Sequence, residues 1–215
     1  MKALLLTGGE CPPPPFLLSL ASGADLVIAA DSGLDAAKSA GIVPDLVVGD
    51  FDSLSDRSLL AALPADRVRE YPVDKDDTDT EIALLAAVER GADYIIVAGG
   101  GGGRLDHLLA IASLFRREIP PREWHTGQES VYFLDEGESA RFESAEGETV
   151  SVFPAGGGGS QGMDSEGLQW PLKGLVWYPG GFGISNRSGG DSLRISAGTA
   201  PLLVILRVGR VRVLQ

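Results

Sequence analysis

The stretch Leu46-Val47-Val48-Gly49-Asp50-Phe51-Asp52-Ser53 opens as an unbroken apolar run and closes on two carboxylates two positions apart. A run this short, apolar throughout, suits a strand buried on both faces of a parallel sheet. Leu26-Val27-Ile28-Ala29-Ala30 and Tyr94-Ile95-Ile96-Val97-Ala98 have the same character. Met1-Lys2-Ala3-Leu4-Leu5-Leu6 reads as a first buried strand, since its apolar run is too short for a secretory signal and Gly8-Gly9-Glu10 interrupts it. Between these runs, residues 33–40, 56–63, 78–90 and 105–117 carry helical patterns. In 78–90, Ile82, Leu85, Ala86 and Glu89 fall at i, i+3, i+4 and i+7, mostly apolar. Strands alternating with helices predict a doubly wound, mainly parallel α/β domain over residues 1–125. Ligands of such sheets sit beyond the carboxyl ends of the strands, where Asp50 and Asp52 fall.

The periodicity changes near Ile119-Pro120-Pro121. Apolar or alternating runs follow at 131–134, 149–153, 175–178, 192–196, 202–207 and 210–214, separated by Gly, Asp and Ser. In the last, Val208, Arg210 and Arg212 alternate with Gly209, Val211 and Val213. Many short strands between turn residues predict a C-terminal β-sandwich over residues 126–215. The glycine run at 156–159 reads as a connection between strands of that module.

Bulk composition narrows the classes of function. The chain has 215 residues, 44% hydrophobic and 22% charged, ordinary for a globular protein. It contains no apolar stretch of membrane-spanning length. Cys11 is the one cysteine, so no internal disulfide is possible, and a reducing cytoplasm is the expected compartment. Thirty acidic against 18 basic residues leave a formal charge of −12, which argues against a nucleic-acid partner. An acidic protein that handles an anionic nucleotide needs a local counter-charge, and a divalent cation supplies one.

Four loops carry the candidate chemistry. Asp50 and Asp52, if the chain stays extended, point the same way and can form a hard oxygen site for Mg²⁺; the alternative is a solvated Asx turn. Asp74-Lys75-Asp76-Asp77-Thr78-Asp79-Thr80-Glu81 offers Thr78 and Glu81 as a capping box, yet holds far more acid than capping needs. Within it Lys75, one of four lysines, can pair with carboxylates or reach a phosphate. The glycines at 99–103 precede Arg104-Leu105-Asp106-His107, an arrangement that lets backbone N–H groups approach a phosphate. There Arg104 can bind phosphate, Asp106 can ligate metal or cap the helix, and His107 can act in catalysis or bond at the helix start. Asp31 ends the Leu26–Ala30 run just before Ser32-Gly33. Taken together, the loops predict a metal–nucleotide site.

The blocks Ala30-Asp31-Ser32-Gly33, Pro44 to Ser53, Asp74-Lys75-Asp76-Asp77-Thr78-Asp79 and Gly103-Arg104-Leu105-Asp106-His107 resemble, in order and spacing, those of the thiamine pyrophosphokinase (thiamine diphosphokinase) family. The resemblance continues through Glu166-Gly167-Leu168-Gln169-Trp170-Pro171-Leu172 and Gly183-Ile184-Ser185-Asn186. It implies an ATP- and Mg²⁺-binding α/β domain, a β-sandwich, and a homodimer with active sites between subunits. The implied reaction is ATP plus thiamine giving AMP plus thiamine diphosphate, with the thiamine hydroxyl attacking the β-phosphorus. By resemblance, Asp50, Asp52 and Asp79 are the metal residues, with Asp31 and Asp106 close by. Gly33, Lys75, Thr78, Arg104 and His107 belong to the nucleotide side. Lys75 neutralises charge, and Asp79 or Asp106 takes the hydroxyl proton. Trp170 stacks on the thiamine pyrimidine, and Ser185 and Asn186 hydrogen-bond it. The chain departs from the family pattern at Ile111, where Asn is frequent, at Arg187, where Glu usually follows Asn, and in its long glycine run. Two other readings are a pyrophosphokinase acting on another alcohol, such as a hydroxymethylpterin, and a non-catalytic sensor of thiamine or nucleotide.

Overall fold

A computed structural model describes residues 1–213, and the chain divides into two compact units, Met1–Gly127 and Gln128–Gln215. In the first unit the chain runs β1 (Lys2–Leu6), α1 (Pro14–Ser22), β2 (Leu26–Ala30), α2 (Gly33–Ser39), β3 (Leu46–Gly49), α3 (Ser58–Ala61), β4 (Val68–Glu70), α4 (Asp79–Glu89), β5 (Tyr94–Ala98), α5 (Leu105–Leu114) and β6 (Glu123–His125). The strand order is β6-β5-β1-β2-β3-β4, with every pairing parallel. From β1 the chain winds outward through β2, β3 and β4, then returns to the other side of β1 for β5 and β6. The reversal puts a crevice at the carboxyl ends of β1 and β5, where doubly wound sheets bind ligands.

The apolar runs form strands because helices cover both faces, so each position is buried whichever way it points. Leu4, Leu6, Val27, Ala29, Val47, Ile96 and Ala98 share one core with Leu17 of α1 and Leu34 and Ala37 of α2. The alternate residues, such as Leu5, Ile28, Val48 and Ile95, are buried too, and α4 lies against β1, β2 and β3. On α4 the buried stripe is Ile82, Ala83, Leu84, Ala86 and Ala87, whereas Leu85 is exposed. The helix therefore sits rotated from the Ile82–Leu85–Ala86 face expected from spacing, because small alanines let it approach the sheet. At α2, a Cβ on Gly33 would lie 2.1 Å from the Leu6 carbonyl oxygen, so only glycine permits that close approach.

The second unit comprises β7 (Glu129–Leu134), β8 (Ser139–Glu143), β9 (Thr149–Pro154), β10 (Ser160–Gln161), β11 (Asp164–Glu166), β12 (Val176–Trp177), β13 (Gly183–Arg187), β14 (Ser192–Ser196), β15 (Leu202–Arg207) and β16 (Arg212–Val213). Strands β13-β9-β15-β7 form one antiparallel sheet and β11-β14-β8-β16 another, with β10 and β12 paired beside them. Alternate residues of both sheets meet in one core: Tyr132, Leu134, Val150, Val152, Leu202 and Val204 face Ala140, Phe142, Leu193 and Ile195. That period of two is the β-sandwich pattern. The glycines at 156–159 connect β9 to β10. Gly209 turns the chain after β15 at φ +86°, which shortens the strand expected at 210–214; Leu214 lies outside the described residues.

Candidate active site

The first unit contains a pocket of about 340 Å³ at the carboxyl ends of its strands. Two kinds of loop line it. On one side stand Ala30, Asp31, Ser32 and Ser53 with Val73, Lys75 and Asp77–Thr80; on the other stand Thr7–Gly9, Gly100–Gly102, Arg104, His107, Ala110 and Ile111.

The acidic side is built from the register of β2 and β3. Ala30 pairs with Val48, and the Asp31 N–H donates to the Val48 carbonyl at 2.8 Å. The residues after each strand are therefore neighbours. Asp31 has φ +46° and Phe51 φ +61°, and Gly49 at φ +145° lets the chain pass close to Asp31. Left-handed backbone costs about 1–2 kcal/mol at an ordinary residue. Burying the Phe51 ring, 1% exposed, contributes roughly 1.5–3 kcal/mol and holds the turn in place. The Asp52 N–H donates to Asp50 Oδ1 at 3.2 Å, closing an Asx turn. Asp50 and Asp52 thus converge through that turn and not through extended chain.

Carboxylate oxygens of Asp31, Asp50 and Asp52 lie within 4.8 Å of one another. Asp31 Oδ1 is buried with no hydrogen-bond partner among the described residues. Its pKa is raised, first by burial and then by the charges of Asp50 and Asp52. Lys75, its side chain 14% exposed, contacts Asp50 Oδ2 at 2.6 Å and Asp79 Oδ1 at 3.2 Å. The second contact is an ion pair without hydrogen-bond alignment. The hydrogen bond from Lys75 holds Asp50 below the usual carboxylate range. For Lys75 burial is the largest influence and lowers the pKa, but Asp50 and Asp79 together outweigh it, so the ammonium is held more firmly. Burial raises the Asp79 pKa beyond what Lys75 offsets.

Thr78 caps α4, its hydroxyl accepting from the Glu81 N–H at 3.2 Å, while Glu81 pairs with Arg117 and so leaves the capping box half made. Thr80, in the first turn of α4, shares a buried hydroxyl–hydroxyl bond of 2.6 Å with Thr7 at the end of β1.

The glycine side is a backbone scaffold. Gly99, Gly100, Gly102 and Gly103 all have positive φ. Gly100 N–H donates to the Gly8 carbonyl at 2.7 Å, Glu10 and Gly101 exchange two backbone bonds, and the Trp124 indole donates to the Gly99 carbonyl at 2.8 Å. A Cβ on Gly100 would meet Ile111 Cδ1 at 2.2 Å, so Ile111 packs directly behind this loop. Arg104 is engaged by Asp106 through Nε to Oδ1 at 3.0 Å and Nη2 to Oδ2 at 2.6 Å, an exposed pair. Arg104 holds the Asp106 carboxyl far below its usual range, and Asp106 does not join the clustered carboxylates.

Of the residues that sequence reasoning named in this unit, Asp31, Lys75, Thr78, Asp79, Arg104 and His107 line the pocket, Asp50 and Asp52 cluster beside Asp31 without lining it, and Asp106 stands apart. Gly33 supports the fold beside the pocket without lining it. Sequence reasoning missed Thr7, Gly8 and Gly9, although Gly8-Gly9 follows an apolar run just as the 99–103 glycines do. In the second unit, Trp170 is 55% exposed, Ser185 is exposed at φ +58°, and Asn186 is buried.

Residues 17–121 match the family described as "Thiamin pyrophosphokinase, catalytic domain". A thiamine pyrophosphokinase of Bacillus subtilis (strain 168) is 35% identical over 123 residues, covering 55% of this chain and 56% of that protein, so the match spans little more than half of that relative. The crystal structure of thiamine pyrophosphokinase from Bacillus subtilis covers 97% of this chain and 100% of its own, at TM-score 0.80 and 25% identity. That of thiamin pyrophosphokinase from Geobacillus thermodenitrificans covers 96% and 97%, at TM-score 0.73 and 27% identity. The catalytic-domain match lies over the acidic loops and the 99–103 glycines, and the fold is similar nearly end to end to that of these thiamine pyrophosphokinases.

Proposed function

We propose that the protein transfers the pyrophosphoryl group of ATP to the hydroxyl of thiamine, giving thiamine diphosphate and AMP. The observation that carries this reading is the convergence of Asp31, Asp50 and Asp52, with Asp31 lining a pocket that Lys75, Asp79 and glycine backbone also line. Three carboxylates within 4.8 Å, one with a buried and unpartnered oxygen, fit a hard divalent cation such as Mg²⁺. Asp31, Asp50 and Asp52 would hold it, with Asp79 beside them, and when bound it would neutralise phosphate charge.

The chain's own residues supply the rest. The glycine loops, which carry no side chains, leave room for the phosphates to approach the backbone, and Lys75 and Arg104 offset the negative charge that develops on the departing AMP. The thiamine oxygen forms its bond to the β-phosphorus as the bond from that phosphorus to the α–β bridging oxygen breaks. Asp79, whose pKa burial raises, accepts the hydroxyl proton; Asp106, held ionised by Arg104, is the poorer base. The exposed Trp170 ring offers a stacking platform for the pyrimidine. Exposed Val176, Tyr178, Phe182 and Ile184 support pairing of two copies as a homodimer, with active sites between the subunits. The partly buried Cys11, its thiol pushed up to about 11 by burial, suits a reducing cytoplasm.

Mixing the protein with ATP, Mg²⁺ and thiamine should release AMP in step with thiamine diphosphate, and Asp52→Ala should abolish turnover while the protein stays folded. Release of ADP, or a fully active Asp52→Ala variant, would sink the assignment. A hydroxymethylpterin in place of thiamine should give no AMP.

A further inference from the structure

Asn186 is buried in β13, yet the strand around it is irregular. The register of β13 against β9 shifts between Gly183 and Asn186, and Ser185 sits at φ +58°. Such a bulge re-aims side chains. Here Ile184 and Ser185 both face solvent while Asn186, 7% exposed, turns inward. Its amide meets the backbone of Trp170 twice: the Trp170 N–H donates to Oδ1 at 3.1 Å, and Nδ2 donates to the Trp170 carbonyl at 2.6 Å. Oδ1 also accepts from the Arg187 N–H at 2.8 Å, which fills both lone pairs of that oxygen.

The side chain therefore acts as a strand partner would, for one residue. On one side, Gln169 N–H donates to the Arg187 carbonyl at 2.8 Å and Leu168 bridges Ser188. On the other, Leu172 is buried and its N–H donates to Ser165 Oγ at 2.9 Å. Pro171, between, has no N–H to give. Trp170 is fixed at its backbone while its indole stays in solvent.

We propose that Asn186 is a positioning residue that fixes the Trp170 platform and makes no bond to substrate through its carbonyl oxygen. The proposal rests on the reading of Trp170 as the surface on which thiamine stacks. Its consequence is that the Asn186 carbonyl oxygen serves thiamine through Trp170 and not by direct contact.

Two measurements test it. In amide hydrogen exchange, Asn186→Ala should speed exchange of the Trp170 N–H by about ten-fold or more, while Asn186→Asp, which keeps the acceptor, should hold it within about three-fold. Unchanged Trp170 exchange in Asn186→Ala overturns the clamp. In kinetics, Asn186→Ala should raise KM for thiamine about ten-fold with little change in kcat, and in a Trp170→Ala background should change it less than two-fold. An equal rise in both backgrounds overturns the proposal, because it means direct contact with substrate. A Trp170→Ala variant with unaltered KM for thiamine instead removes the platform reading and leaves the clamp to be judged by exchange. If the alanine variant fails to fold, Asn186→Ser, which keeps one polar atom and so cannot meet both the N–H and the carbonyl of Trp170, takes its place in both measurements.

Discussion

The two walls of the pocket meet their charges in opposite ways. On the acidic wall, Asp31 keeps a buried oxygen without a partner, held by left-handed backbone beside two like charges. On the glycine wall the backbone is cross-bonded, and Arg104 and Asp106 satisfy each other at the rim. The first wall is incomplete alone, and the second is a finished mould. The difference teaches where a ligand must contribute charge and where it needs only to fit. Unmet buried charge is expensive to keep, so it persists where function requires it.

The comparison breaks most visibly at Asp31. Asp31→Asn should lower turnover by roughly a hundred-fold or more, measured as AMP release, because the cluster loses a charge. Without divalent cation the same variant should unfold about 1–3 °C higher at neutral pH, since asparagine tolerates left-handed φ and carries no buried charge. The raised Asp31 pKa means the folded state binds the proton better. The destabilisation it causes therefore grows as pH rises from 3.8 through the raised value, and the advantage of Asp31→Asn should vanish as pH falls back to 3.8. An advantage that persists at pH 3 would sink this account.

The mould is probed by Gly100→Ala. Its Cβ would meet Ile111 Cδ1 at 2.2 Å, and φ there is +73°. Activity should fall about ten-fold through a higher KM for ATP, and adding Ile111→Val, which removes the clashing atom, should recover part of it. No recovery would mean that backbone strain alone sets the loss.

The smallest effect lies in the second unit, where charges are paired. Arg210 grips Glu148 through Nε at 2.9 Å and Nη2 at 2.6 Å, and its hydrogen bond holds the Glu148 pKa down. This stabilisation is present above the ordinary value of 4.5 and is lost as pH falls through the depressed one. Glu148→Gln should cost about 1 kcal/mol at neutral pH, read by thermal unfolding, with the difference shrinking in acid. An effect independent of pH would assign the loss to the Ala145 N–H bond instead.

Much of this was legible in the sequence where chemistry is repetitive. Strands apolar at every position announced a sheet covered on both faces, and alternation after Ser130 announced a sandwich. Helix α1 was hidden because Pro12–Pro15 looks like a breaker, although two of those prolines occupy its first turn, where no N–H bond is lost. Strand β6, Glu123-Trp124-His125, lacks an apolar run, and β13 carries a bulge that spoils its alternation. The acidic loops were legible as a group, but which carboxylates converge was not. Asp31 and Asp50 meet because β2 and β3 are neighbours, a fact of strand order that local spacing does not encode. Likewise, nothing local showed that the Asn186 amide is occupied by Trp170.

The hydroxyl bond between Thr7 and Thr80 has a mechanical consequence. It is a cross-brace between the end of β1, which carries the mould, and the first turn of α4, which carries Asp79. Because the brace is buried, swinging one wall from the other costs that bond, about 0.5–1.5 kcal/mol. The bond biases the gap toward one width before any guest arrives. Discrimination then works as a gauge does, by rejecting what leaves the fixed contacts unmade, and not as a jaw that closes on whatever enters.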